Sequence, residues 1–551
     1  MYIETVKSKQ GGKVYQQVLL RESYREPGAA RSAVKKRTLL NLTQYPKEVV
    51  DTIALALKHK GDLAVLRSIK DIGLVQGPSV GATWAIYRVA RSLGIDKALG
   101  SDHQGKLALW QVIARVIDQG SRLSSVRLAQ ALSGPEIIGF KKGFNENDLY
   151  QNLTWLAKNQ TKIEKRLFKD RHKEKPRLFL YDVTSSYLEG KHNELADYGY
   201  NRDKKRGKKQ IVIGLLTDDE GEPVATQVFT GNTTDLSTFS DQIKKAASEF
   251  GCEQVTFVGD KGMIKSGQIE ELAAARFHYI TSITKAQIRS LIKSGQFQLE
   301  LFEDNLCEVQ DDGVRYVLRR NPKRALEMKE SRASKLAALQ KLTDEQNNYL
   351  AEHSRADQHV ARKKVLEKCG RLNMGAFVTI TAKDRKIKVE VDEEYMAEIA
   401  DLDGCYAIKT DLPVEDADKE TVHDRYKDLA TVETAFRTFK TTHLEVRPVY
   451  VRKRANTRGH VLVVMLAYLI VRHLKKAWFA YDLTVEEGID SLKRLCATKV
   501  TLKQGGSCLR VPDPDDMNGK LLAALKIEPP KMLPKSSVRV ASKKKLSDRT
   551  K

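Results

Sequence analysis

Three carboxylates carry the first chemical signal in this sequence. Asp182 follows the apolar run Leu178 to Tyr181 in PRLFLYDVTSSYLEG (176–190), and the residues after it are small hydroxyls with no adjacent cation. Asp260 ends a second apolar run in QVTFVGDKGM (254–263), and Glu433 lies in VHDRYKDLATVETAFRTFK (422–440), a stretch without Gly or Pro. Two strand-end carboxylates and a third from a helix form an oxygen ligand set. Such a set suits a pair of divalent ions roughly 3.5–4 Å apart, placed for in-line attack on a phosphodiester. The expected ions are Mg²⁺, with Mn²⁺ as a substitute, two per site. Glu189, Glu194 and Asp197 compete for the role, but they fall in a polar loop and read as solvated.

The 422–440 stretch reads as one long helix. Residues seven apart on a helix differ in direction by about 20°, so Tyr426, Glu433 and Lys440 share a stripe, with Arg437 beside Glu433. Glu433 and Arg437 alone would equally be a surface ion pair. Together with the two aspartates they describe a surface that faces phosphate.

The elements that must position these groups follow from pattern. A chain of 551 residues exceeds one hydrophobic core. Residues 1–45 alternate as a small β unit. Residues 46–172 carry apolar residues at i, i+3, i+4 spacing and read as a helical domain. Residues 173–285 alternate strands and helices as the first part of a mixed-sheet α/β core. Residues 286–415 interrupt it, with a charged segment at 321–370, without Gly until Gly370, that predicts a helical hairpin or coiled coil. Residues 416–480 return to the core with the Glu433 helix and a strongly apolar helix that reads as too short to span a bilayer. Residues 481–551 form a C-terminal region with a basic tail after Pro530, expected to be mobile.

Charge names the partner. Lys and Arg number 95 against 71 Asp and Glu, a net charge of +24, which calls for a polyanion. The cations cluster at 201–209 (Lys204, Lys205, Arg206) and at 446–460 (Arg447, Arg452, Lys453, Arg454, Arg458), and these are the candidate DNA contacts. The six cysteines include no C-x-x-C pair, which argues against a zinc site or a disulfide framework. No secretory apolar segment opens the chain, and a cytoplasmic protein without a membrane partner is expected.

The three motifs together resemble those of DDE-type insertion-sequence transposases, in the IS-four-like branch marked by a Y-x2-R-x3-E-x6-K signature. LYDVTSSYLEG is similar to the first Asp motif and FVGDKGM to the second. YKDLATVETAFRTFK supplies Tyr426, Glu433 and Lys440 at the signature spacing, while Leu429 occupies the Arg position, for which Arg437 or Arg425 would substitute. The resemblance implies a ribonuclease H-like core with an insertion before the Glu. It implies metal-dependent cleavage at transposon ends and strand transfer into target DNA, with Asp182, Asp260 and Glu433 as metal ligands. It also implies contacts from Tyr426, Arg437 and Lys440 to the phosphate at the cut. An end-specific transposase needs base readout, and the helices of 46–172 would be the DNA-binding domain that supplies it. The partners would be terminal inverted repeats, target DNA and a second copy of the chain, in a prokaryotic cytoplasm at the nucleoid. Two other readings stay open: a nuclease of the same fold without strand transfer, and a non-catalytic DNA-binding protein of transposon descent.

Overall fold

The alternating N-terminal run folds as an antiparallel sheet of β1 (Tyr2–Gln10), β2 (Lys13–Tyr24) and β3 (Lys35–Asn41). The computed structural model describes residues 1–10, 13–24, 34–58, 72–190, 192–203, 205, 207–441, 444–447, 450–502, 506–534 and 538–542. The chain divides into two compact units, one of Met1–Ile163 with Phe439–Lys551 and one of Glu164–Thr438.

In the first unit the expectation of helix throughout 46–172 needs one correction. Ile72–Ser79 is a strand, β4. Its sequence, IGLVQGPS, shows neither a helical nor a strand period, and its partner lies in the C-terminal region. The helices Gly81–Ser92 and His103–Ile117 follow as expected, and Arg122–Ala131 is a further helix of the same region. Asp102 and Ser121 cap the second and third, each side chain accepting a backbone N–H three residues on.

The second unit is built on an eight-stranded mixed sheet. Its strands are β5 (Leu178–Tyr187), β6 (Gln210–Thr217), β7 (Pro223–Phe229), β8 (Thr256–Gly259), β9 (His278–Ser282), β10 (Cys307–Asp311) and β11 (Val314–Arg320). After the hairpin of β12 (Val378–Lys383) and β13 (Lys386–Val391), which stands outside this sheet, comes β14 (Cys405–Thr410). The order is β10-β11-β14-β9-β8-β5-β6-β7; β5, β8 and β9 run parallel and the remaining neighbours antiparallel. Phe179, Tyr181, Val183, Phe257 and Tyr279 bury one face in a cluster with Phe239, Ile243 and Leu272 of the helices Asp235–Lys244 and Ser266–Ala274.

The insertion is not one block apart from the sheet: β10, β11 and β14 belong to it. What stands outside is the helical pair Pro322–Glu352 and Gln358–Arg371, the expected hairpin, with β12, β13 and the helix Glu393–Asp401. These share their own core of Leu339, Leu350, Val365, Phe377 and Ile380.

The first unit resumes with the helix Arg454–Ala477, packed against His103–Ile117. By length and composition this helix is apolar enough to cross a membrane, contrary to the sequence expectation, but 83% of its apolar window is buried in the fold. Then β15 (Cys496–Leu502), β16 (Ser507–Arg510) and β17 (Met532–Leu533) complete a sheet ordered β17-β16-β15-β4. Part of the tail expected to be mobile is docked. Val540 bridges Phe144, and its carbonyl accepts from Gln130 Nε2 at 3.0 Å. Residues 543–551 lie outside the described residues.

Candidate active site

Asp182 is not at a strand end. It is the fifth residue of β5, which continues to Tyr187 beside β6, where Asp182 faces Leu215. The strand on its other side is the one that ends. β8 pairs with β5 through Leu178↔Thr256 and Leu180↔Val258 and stops at Gly259, so Asp260 leaves the sheet directly. Continuing the register by two residues sets Asp182 opposite Asp260, with adjacent strands about 5 Å apart. The β8–β9 register, Gly259↔Thr281, extends in the same way to set Asp260 opposite Ser282. Phe179, Tyr181 and Val183 occupy the apolar face, so the two-residue period turns Asp182 and Asp260 to the other one. The helix Lys419–Lys427 lies on that side, and its Tyr426 hydroxyl donates to Ser282 Oγ at 2.7 Å.

The single long helix expected around Glu433 is two helices, Lys419–Lys427 and Leu429–Lys440, with Asp428 between them. The Thr431 N–H bonds the Asp428 carbonyl three residues back, at 2.9 Å, and the chain re-nucleates there. Tyr426 and Glu433 therefore do not share one continuous stripe. Tyr426 turns to the sheet, while Glu433 and Arg437 are exposed and, among the described residues, form no ion pair with each other. Lys440 ends the second helix and is counted in the other unit.

Electrostatics join the three acids. Burial pushes the Asp182 carboxyl up to about 7; its bond from the Val183 N–H (2.7 Å) and the Arg202 guanidinium pull it down, and the Asp260 and Glu433 carboxylates push it further up. Tyr426 is raised to about 12 by burial, with Asp260 and Asp182 adding to the effect. Asp260 itself is exposed and accepts the Lys261 N–H at 2.8 Å. Among the described residues no three His, Cys, Asp or Glu side chains stand close enough together to hold an ion as placed.

Three residues of this neighbourhood were not singled out from sequence. Arg202 grips Asp235 with two bonds of 2.7 and 2.6 Å, and its N–H donates to Ser185 Oγ at 2.8 Å. Arg202 lies in the recognised 201–209 cluster, but its pairing with a helix-start Asp 33 positions on has no local signal. Ser282, the third, is an ordinary strand serine until Tyr426 is seen to bond it. The competing acids behave as loop groups: Glu189 and Glu194 are exposed, and Asp197 makes a backbone bridge to Gln210.

The basic candidates are spread over both units. Lys204 and Arg206 lie outside the described residues; Lys205 is exposed, 5.9 Å over the Tyr187 ring. Arg447 pairs with Glu445. Arg452, Lys453, Arg454 and Arg458 are exposed around the start of the helix Arg454–Ala477.

Comparison with known proteins follows the same outline. The family described as the transposase DDE domain matches residues 173–470, and the N-terminal domain of the IS1634 family transposases matches residues 3–64. No curated protein matches the chain. Among solved structures, the cryo-EM structure of a piggyBac transposase synaptic complex with hairpin DNA aligns with a TM-score of 0.36 at 8% identity, over 76% of this chain and 82% of that one. With the DDE domain covering more than half of its length, behind an insertion-sequence N-terminal domain, the chain belongs to the DDE transposases of insertion sequences, enzymes of DNA transposition.

Proposed function

We propose that this transposase cuts DNA at the ends of its element and joins the freed strand to target DNA, with divalent metal held by Asp182, Asp260 and Glu433. The observation that carries the proposal is the pairing of β8 beside β5 through Leu180↔Val258, two residues short of Asp182 and Asp260, with the carboxylates of Asp260 and Glu433 acting on Asp182. The donor set fits Mg²⁺ or Mn²⁺. All three are hard oxygen ligands, and Arg202, the cation that acts on Asp182 among the described residues, is already committed to Asp235. The aspartates are the preformed part of the site, and Glu433 is the ligand to be drawn in. The metal, two ions in this reading, supplies charge stabilisation at the reacting phosphate and an activated water or 3′-hydroxyl.

The chain's own groups orient. Tyr426 holds the helix Lys419–Lys427 to Ser282 beside Asp260. Arg437, exposed one turn after Glu433, takes the phosphate contact that Leu429 cannot make, since Arg425 is partly tied to Asp428 at 3.6 Å. Lys440 adds a second contact. The strand order β7-β6-β5-β8-β9, antiparallel then parallel, supports a ribonuclease H-like arrangement, and the signature spacing supports the Y-R-E-K branch. Terminal repeats and target DNA as partners, a homodimer on DNA and a cytoplasmic, nucleoid-bound location belong to the same reading.

Asp182→Asn, Asp260→Asn and Glu433→Gln should each lower nicking and strand transfer by about 10²-fold or more, with end binding retained. Ca²⁺ should permit binding with little cleavage. Wild-type rates in any one variant would remove that residue from the site. Cleavage without joining of a pre-cut 3′-hydroxyl end would make the protein a nuclease.

A further inference from the structure

The unit formed from both ends of the chain holds a charged cluster that the carboxylate site does not use. A narrow cleft there is lined by Arg115, Arg122, Glu445, Arg447, Tyr450 and His460. Arg115 and Arg122 are 4% and 3% exposed. Arg115 donates to the carbonyls of Gln119 (2.6 Å) and Gly120 (3.2 Å), and its Nε is buried without a partner. Arg122 donates to Gln111 Oε1 at 2.5 Å and to His460 Nδ1 at 3.2 Å.

Neither buried guanidinium forms an ion pair among the described residues. Asp118 and Glu445 act on Arg115 only through space; Glu445 is held by Arg447, and Asp118 by Ser124 and the Gly120 N–H. Burial pushes Arg122 down to about 9, and Arg115 beside it acts in the same direction. Buried cations whose nearby carboxylates are bonded to other partners are only partly offset, and an incoming anion would stabilise them. Gly120 and Ser121 also line the cleft and lead into the helix Arg122–Ala131, whose free N–H groups add positive potential.

We propose that this cleft seats one phosphate of the DNA backbone, gripped by Arg115 and Arg122 with Arg447 at the mouth. It rests on the proposal above that the stretch 447–458 contacts DNA. Among the lining residues Arg447 is partly exposed and Tyr450 exposed, and Tyr450 lies two residues before exposed Arg452, Lys453 and Arg454, so a strand lying on those cations passes the opening. A phosphodiester presents two non-bridging oxygens that match the guanidinium fork.

The test measures affinity of the full-length protein for a duplex of the element's terminal sequence, as a function of salt. Arg122→Gln and Arg447→Gln should each weaken binding about tenfold and reduce the steepness of log K against log salt by about one. A scan of single methylphosphonate linkages should find one position that costs the wild type as much as Arg122→Gln does and costs that variant nothing further. If Arg122→Gln does not fold, Arg447→Gln at the mouth and the wild-type scan carry the test. A scan with no such linkage overturns the seat. Thermal protection of the wild type by inorganic phosphate, with the DNA slope unchanged in the variants, would assign the cleft to free phosphate and overturn it as well. Arg452→Ala with Arg458→Ala separates the two readings. A weakened slope there with none in Arg122→Gln leaves the DNA path standing and removes the seat; no effect in either removes both.

Discussion

Tyr426 reaches Ser282 with its hydroxyl while its ring stays half-buried beside Asp260, so one side chain ties a helix to the strand next to the site. Tyr426→Phe removes a hydrogen bond worth about 1 kcal/mol and leaves the ring in place. Cleavage should fall about tenfold, with the melting temperature moving only a few degrees; an unchanged cleavage rate would show that the tether does not position the site. His460 offers a test of a different kind. Burial, with Arg115 and Arg122 beside it, holds its ring neutral well below the usual histidine range, and the Val446 carbonyl opposes this only weakly. An unfolded chain takes up a proton near pH 6.5 that the folded chain refuses. The stability linked to His460 is therefore complete above that pH and is lost as pH falls through it, by about 1.4 kcal/mol per unit. His460→Gln keeps an acceptor for Arg122 and removes the titration. Urea midpoints at pH 7.5 and 5.5 should then lie closer together than in the wild type, and an equal drop in both proteins would assign the pH effect to other groups.

The elements show where local pattern suffices and where it does not. The helices Pro322–Glu352 and Gln358–Arg371 were legible because their stretch has no Gly until Gly370, its one Pro opens the first helix, and helix-forming residues fill the rest. The break at Asp428 was not, because its turn depends on one carbonyl accepting an N–H three residues on rather than four. Nor was it legible that the insertion leaves the sheet from a hairpin. Arg320 of β11 pairs with Cys405 of β14, and the Asn321 N–H donates to the Gly404 carbonyl at 2.9 Å, so the ends of the excursion already meet. Replacing residues 322–403 by Asn-Gly, a two-residue hairpin turn, should therefore leave the eight-stranded sheet folded. The Arg332–Asp403 ion pair goes with the excised segment, so neither partner of that pair is stranded. Circular dichroism should lose helix and keep strand signal with a cooperative melt; an unfolded or aggregated product would show that the excursion's core supports the sheet.

At the scale of the whole molecule, +24 of net charge describes a DNA-binding surface only if the cations are exposed and contiguous. Arg452, Lys453, Arg454 and Arg458 meet that condition around one helix start. Neutralising all four should reduce the steepness of log K against log salt by about 0.9 for each phosphate that the protein no longer neutralises; an unchanged slope would remove this stretch from the DNA path. Sequence alone nominated the three acids proposed as ligands, because a carboxylate after an apolar strand run and a Glu on a Gly-free helix are local patterns of hydrophobicity and residue type. It also determined the family, the excess of positive charge and most element types. Only the tertiary structure decided that Asp182 lies mid-strand, with its open edge made by the early end of β8, and that Arg202 answers Asp235. Only the fold, too, joins β4 to β15, more than 400 residues apart, and collects Arg115, Arg122 and His460 around one cleft. The physical reason is that periodicity reports how a segment buries its own face, whereas register, strand length beside a neighbour and the burial of a charge depend on partners distant in the chain.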